Sequence, residues 1–141
     1  MTVRKPVTEA YGPEVTGTGR VMLGLGARAG VPADELAAAI DAALRQAGLD
    51  AAGIAGLATV DRRAAEAGVR AVARRHRWPV LSFEPAQLAG VEVPHPSGAV
   101  AAAAGTPSVA EAAALLAAGP GAVLVLPKRI FARATVAIAR G

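Results

Sequence analysis

Near the start of the chain, Val21-Met22-Leu23-Gly24-Leu25-Gly26-Ala27-Arg28-Ala29-Gly30 runs an apolar segment straight into closely spaced glycines. Such a run predicts a strand over about 20–25, a glycine-rich turn, and a helix beginning near Pro32 or Ala33. Glycine permits positive φ and lets a ligand come close to the main chain. The N-terminus of the following helix presents unpaired N–H groups that suit an anion. Arg28 stands inside the turn as a permanent cation with forked donors. The same glycines also serve a tight strand-to-helix turn with no ligand, and by spacing alone that reading is the stronger. The pattern is not a full dinucleotide fingerprint, and no Walker lysine follows it.

Periodicity extends the pattern along the chain. Leu36, Ile40 and Leu44 lie four apart, flanked by Ala37, Ala43 and Ala47, which predicts a helix over 33–47. Asp34 and Glu35 fall in its first turn and Gly48 at its end, where their charge and conformational freedom suit them. A buried strand over 54–60 ends in Asp61. A second helix over 62–77 places Ala65, Val69, Val72 and His76 toward the core, with Arg63, Arg70, Arg74 and Arg77 opposite. Pro79 stops it, and Val80-Leu81-Ser82-Phe83 reads as a third strand. Residues 84–97 are turn-rich, and a short helix is expected over 98–104. Ser108 and Glu111 have capping-box spacing at the head of an Ala/Leu-rich helix over 108–118, whose composition predicts burial on more than one side. Strands over 122–126 and 134–139 form a hairpin across a basic loop, 127–133, carrying Lys128, Arg129 and Arg133. Residues 1–18 read as a flexible polar tail and 19–141 as a single domain.

Strands alternating with helices in this way predict an α/β fold, three layers α/β/α, with a mixed, largely parallel sheet and a C-terminal hairpin. Ligands bind such sheets at the carboxyl ends of the strands. Here those ends carry Gly24 to Gly30, Asp61 and residues 82–84, so the opening motif and Asp61 can face one crevice.

Composition narrows the chemistry. With 141 residues, 53% of them apolar, the chain is long enough to bury a core without staples. It has no cysteine and only His76 and His95 as histidines, which excludes disulfides and thiolate metal sites and calls for no metal. No leader-like apolar run opens the chain, and Gly119-Pro120-Gly121 interrupts the uncharged stretch 112–127, so the expectation is a cytoplasmic, non-membrane protein. A net charge of +4 points to an acidic partner: nucleic acid, anionic lipid or a polycarboxylate metabolite. Four aromatics give almost no interleaving for base stacking, and no duplex-reading motif is present, so nucleic acid is the weakest of these. Asp61 and Glu66 are the carboxylates near a strand end, able to cap a helix or to act as a base. Glu111 and Ser108 read as caps. Lys128, directly after Pro127, can reach a carboxylate over the sheet.

In order along residues 20–140, several pieces resemble the cobalamin-biosynthesis family of CobE and the C-terminal domain of CbiG. They are Gly24 to Gly30; Thr59-Val60-Asp61 with Arg63, Glu66 and Gly68; Pro96-Ser97 with Val100; Pro107 through Leu115; Pro127-Lys128; and Thr135 through Arg140. Two positions depart from the family: Ala27 stands where cysteine is common, which removes thiol chemistry from the turn, and Arg63 stands where lysine is common. The resemblance implies work on a precorrin, a tetrapyrrole bearing many acetate and propionate groups. It implies ligand contacts from Gly24, Gly26, Arg28, Arg63, Ser97, Lys128 and Thr135. A free-standing domain resembles CobE, so the first expectation is a protein that binds or acts on a precorrin, with other cobalamin-pathway enzymes as partners and no cofactor. The alternative is a hydrolase opening a precorrin lactone, as in CbiG proteins, with Asp61 or Glu66 as base.

Overall fold

The computed structural model describes residues 20–91 and 108–141. The expected tail over 1–18, the helix over 98–104 and Ser97 lie outside the described residues. The elements run β1 (Val21–Ala27), α1 (Ala33–Ala47), a 3-10 turn (Ala51–Gly53), β2 (Ile54–Val60), α2 (Asp61–Ala64), α3 (Ala67–His76), β3 (Val80–Phe83), α4 (Pro85–Ala89), α5 (Val109–Ala118), β4 (Val123–Phe131) and β5 (Ala134–Arg140). They build one sheet of order β3-β2-β1-β5-β4. β1, β2 and β3 are parallel, while β5 runs antiparallel to both β1 and β4. The expected mixed, largely parallel sheet with a C-terminal hairpin is what forms. No described helix is long and apolar enough to cross a membrane.

The two faces of the sheet are built from side chains of different size. Leu23, Leu25, Leu57, Val136 and Ile138 point to one face, where α1 (Leu36, Ile40, Leu44) and α3 (Val69, Val72) close over them. Each such residue, fully buried, contributes about 1.5–3 kcal/mol. The middle of the opposite face, between Met22 and Val60, carries Gly24, Ala58, Ala137 and Ala139, all buried, beneath the alanines of α5. Side chains this small bury little area each, so cohesion there depends on close approach and dense dispersion contacts. Gly24 is the tightest point: a Cβ there would run into the Ala110 carbonyl and lie 2.9 Å from the Ala114 Cβ.

Helix α1 has the predicted bounds, and Gly48 ends it at φ 70° with the Leu49 N–H donating to the Leu44 carbonyl at 2.9 Å. Four expectations are corrected. The first strand continues through Gly26 to Ala27, so Gly24 and Gly26 are strand residues and the turn begins at Arg28. The helix expected over 62–77 is two helices, broken at Ala65–Glu66, with Ala65 exposed. The break lets Gly68 lie against the Val31 carbonyl, a contact that leaves no room for a Cβ. Residues 85–89, expected as turn, form α4, where the Gln87 Oε1 accepts the Glu84 N–H at 2.8 Å and Pro85 stands at the first helical position. The basic loop over 127–133 is mostly strand: β4 runs through Pro127 to Phe131, and the hairpin turns on Ala132 and Arg133 alone, with Ala132 at φ 48°. Proline is tolerated because β4 is an edge strand and its ladder with β5 shifts register on both sides of Leu126.

The packing at Gly24 gives a direct check. Gly24→Ala is expected to cost about 1–3 kcal/mol through forced separation of α5 from the sheet. Gly53→Ala, facing open space, is expected to stay within about 0.5 kcal/mol. Urea unfolding midpoints of the two variants measure the contrast.

Candidate functional site

The carboxyl ends of β1, β2 and β3, the hairpin turn between β4 and β5, and the start of α5 all lie at one end of the sheet. The pairings Ala27↔Ala134 and Phe131↔Ala134 bring the hairpin turn beside the end of β1. The α5 start sits over Gly26, where a Cβ would meet Val109 and Ala110 at 3.7 Å and Thr135 at 3.8 Å.

At this end β1 parts from β2. Their ladder stops at Gly24↔Ala58. The Leu25 carbonyl, no longer facing a backbone donor, accepts the hydroxyl of buried Thr59 at 2.7 Å. A buried carbonyl left unpaired would cost on the order of 1–3 kcal/mol, so the threonine permits the strands to diverge. Into the gap comes Arg63 from α2. Its Nε donates to the Ala27 carbonyl at 2.7 Å and its Nη1 to Glu66 Oε2 at 3.0 Å. The other Glu66 oxygen accepts the Gly30 N–H at 3.1 Å. Arg63 and Glu66 thus form a brace from the α2–α3 junction to the β1–α1 loop, with both groups about four-fifths buried.

On the other side the Arg28 N–H donates to the Arg133 carbonyl at 3.1 Å. The Arg133 guanidinium in turn makes two bonds to Glu35 in the first turn of α1. The loop carrying Arg28 is therefore pinned through its backbone at Ala27, Arg28 and Gly30. The Arg28 side chain is exposed and has no partner among the described residues.

The sequence-derived candidates do not form one cluster. Arg28, Gly26 and Thr135 stand together at the carboxyl end; Asp61 is at the same end but on the β3 side, beside Arg70 and Ser82, exposed and unpartnered among the described residues. Arg63 and Glu66 reach the same end but are spent on the brace, which accounts for both without a ligand. Gly24 is covered by α5. Ser97 lies outside the described residues.

Lys128 stands apart, three residues below the hairpin turn on the edge strand β4, roughly 10 Å along the strand from Phe131. β2 and β4 are also three strand spacings apart, about 14 Å, so Asp61 and Lys128 cannot serve one small reacting group. Only a ligand as broad as the sheet end can touch both.

Glu111 corrects the capping-box reading. Ser108 does cap α5, accepting the Glu111 N–H at 3.5 Å, but the Glu111 carboxylate does not reach back. It is 2% exposed; one oxygen accepts the Lys128 N–H at 3.1 Å and the other has no partner among the described residues. Glu111 therefore holds the backbone bulge after Pro127 and fixes where Lys128 leaves the sheet. The signal was available in the sequence, since every neighbour of Glu111 on α5 is apolar.

Residues 21–139 match the family model described as "Cobalamin synthesis G C-terminus". The chain is 38% identical over 121 residues to Protein CobE of a Sinorhizobium species, covering 84% of this chain and 79% of that protein. A crystal structure of CobE, a protein from the cobalamin (vitamin B12) biosynthetic pathway, superposes with TM-score 0.74 at 35% identity, over 88% of this chain and 92% of that one. The cobalamin biosynthesis protein chiG from Agrobacterium tumefaciens superposes with TM-score 0.65 at 35% identity, over 84% and 96%.

The clamp of the hairpin turn on α1 titrates. The hydrogen bond from Arg133, and then its charge, hold the Glu35 carboxyl below its ordinary value of 4.5. A depressed folded-state pKa gives stability that is present above the unfolded value and lost as pH falls through the folded one. Arg133→Ala is therefore expected to unfold at lower urea than the parent at neutral pH. The gap between the two should close as the pH drops below about 4.

Proposed function

The chain belongs to the family of CobE and the cobalamin synthesis G C-terminus, and from that premise we propose that it binds a precorrin at the carboxyl end of its sheet and presents it without converting it. One observation carries the reading: a guanidinium with no partner among the described residues, Arg28, on a loop whose backbone is tied down at three points. Most other arginines beside this crevice are neutralised, Arg63 by Glu66 and Arg133 by Glu35. Arg28 is left as a preorganised fork for a carboxylate, and a planar fork loses little freedom when it binds one.

A precorrin is a broad ring fringed with acetates and propionates. It is the kind of ligand that can span from Arg28 toward Lys128, which a small substrate cannot. Thr135 and the N–H groups at the start of α5 lie between them and can take further oxygens. Partner enzymes of the same pathway would receive or deliver the ring, and a cytoplasmic setting accords with such an exchange.

A second reading, hydrolysis of a precorrin lactone, rests on Asp61. It is the carboxylate at this end left without a partner among the described residues, able to accept a proton from water. Glu66 is a poor base here, because both its oxygens are already engaged, one by the Arg63 guanidinium and the other by the Gly30 N–H.

Anaerobic titration with late precorrins, followed by absorbance and by mass of the recovered chromophore, separates the readings. The expected result is saturable binding with unchanged ligand mass. Arg28→Ala and Lys128→Ala should each weaken binding about tenfold, the worth of one charge-assisted hydrogen bond. A mass change abolished by Asp61→Asn would establish the hydrolase reading. Absence of binding to every intermediate would refute both.

A further inference from the structure

Arg70, Arg74 and Arg77 repeat at intervals of four and three along α3 and its C-cap, so they share one face. They line a depression of about 440 Å³ whose floor is Trp78 and Val80. A second depression of about 270 Å³ continues past Arg70 and Val80 to Ser82 and Asp61. The two make one groove along β3, with the α2–α3 segment as its wall.

Two features set this groove apart from an ordinary solvated face. The first is charge. Arg63 and Arg75, on the same segment, each have a carboxylate partner. Arg74 and Arg77 have none among the described residues, and Arg70 donates only to the Ala64 carbonyl at 3.4 Å. The negative end of the α3 dipole favours cations in its last turn, which covers Arg74 but not Arg70. Arg77 itself sits at φ 60°, where a non-glycine residue costs on the order of 1 kcal/mol. The second feature is the strand. Among the described residues β3 ends the sheet, so its outer backbone N–H and C=O groups have no ladder partner there.

The spacings agree. Arginines four and three apart on a helix are separated by about 6 and 4.5 Å along its axis. Alternate residues of an extended strand are separated by about 6.6 Å. A strand laid beside β3 with acidic residues at every second position therefore presents carboxylates at nearly the first arginine interval and about 2 Å wider than the second, a difference the long arginine side chains can span.

We propose that this groove docks an extended acidic segment of a partner protein, which adds to the β3 edge and pairs its carboxylates with Arg70, Arg74 and Arg77. The acidic part lies at the arginine end, because Asp61 closes the other. The groove shares only Asp61 with the proposed precorrin site, and the arginines that carry this proposal play no part in that reading, so either can fail alone.

The test uses the full chain and a synthetic peptide alternating glutamate and valine, with lysine at one end. The expected result is saturable, salt-sensitive binding that shifts the backbone amides of Val80–Phe83 and of α3. Two variants separate docking from folding. Arg77→Gly relieves the backbone conformation and should be at least as stable as the parent, yet bind several-fold more weakly. Arg70→Glu with Arg74→Glu should weaken binding at least tenfold. A peptide N-methylated at alternate residues keeps its charge but cannot pair as a strand, and should not bind. Equal binding of that peptide would overturn the proposal, since the arginines would then be a general polyanion sink. Shifts absent from β3, or full affinity in Arg77→Gly, would overturn it as well.

Discussion

The backbone of α5 lies directly on Gly24, and the rest of the molecule is arranged to allow it. Contact this close demands glycine on the strand and alanine along the helix, which is why Gly24, Ala58, Ala137 and Ala139 line one face of the sheet. The bulk missing there is made up on the other face, where leucine, isoleucine and valine from three strands pack under α1 and α3. A helix held so near the sheet also sets its own start beside Gly26 and Thr135. The carboxyl end of the sheet is thus shaped by a packing contact made in the first turn of α5, at Ala110.

At that end the charges divide into those already satisfied and those left over. Arg63 and Glu66 hold the β1–α1 loop where β1 and β2 diverge, and Arg133 with Glu35 holds it from the hairpin side. Each of these arginines is consumed by a carboxylate and, for Arg63, by a carbonyl as well. Among the described residues, the cations left without a carboxylate include Arg28 at the rim, Arg62 on α2 and Lys128 on the flank, the last aimed by the buried carboxylate of Glu111. A rigid frame with unspent cations suits a wide polyanionic ring better than a compact substrate. Few groups converge on any one point, while several are spread across the width of the sheet.

Local patterns in the sequence were enough for the elements that depend on local physics. Leu36, Ile40 and Leu44 with Gly48 gave α1 its bounds, and the apolar runs gave β2 and β3 theirs. The errors fall where a residue answers to something distant in the chain. Glu66 breaks its helix to reach Gly30, and Gly68 fits against Val31; neither contact has a signature in the surrounding residues. Gly24 looked like a turn because its reason is a helix far along the chain. Ala132 turns the hairpin without the glycine or asparagine that would announce it. Glu111 had the spacing of a cap and the burial of a core residue, and burial decided its role. The family resemblance located the candidate site, but could not tell residues that brace it from residues that face a ligand.

Amide hydrogen exchange of the full chain, with and without a bound precorrin under anaerobic conditions, tests the central claim most directly. The account predicts slowed exchange confined to the carboxyl end of the sheet, in residues 27–31, 60–63 and 133–136 and at the start of α5, with the opposite end unchanged. Protection centred on the apolar depression of about 580 Å³ beside Leu116, Pro120 and Ala122 at the far end of α5 would contradict it.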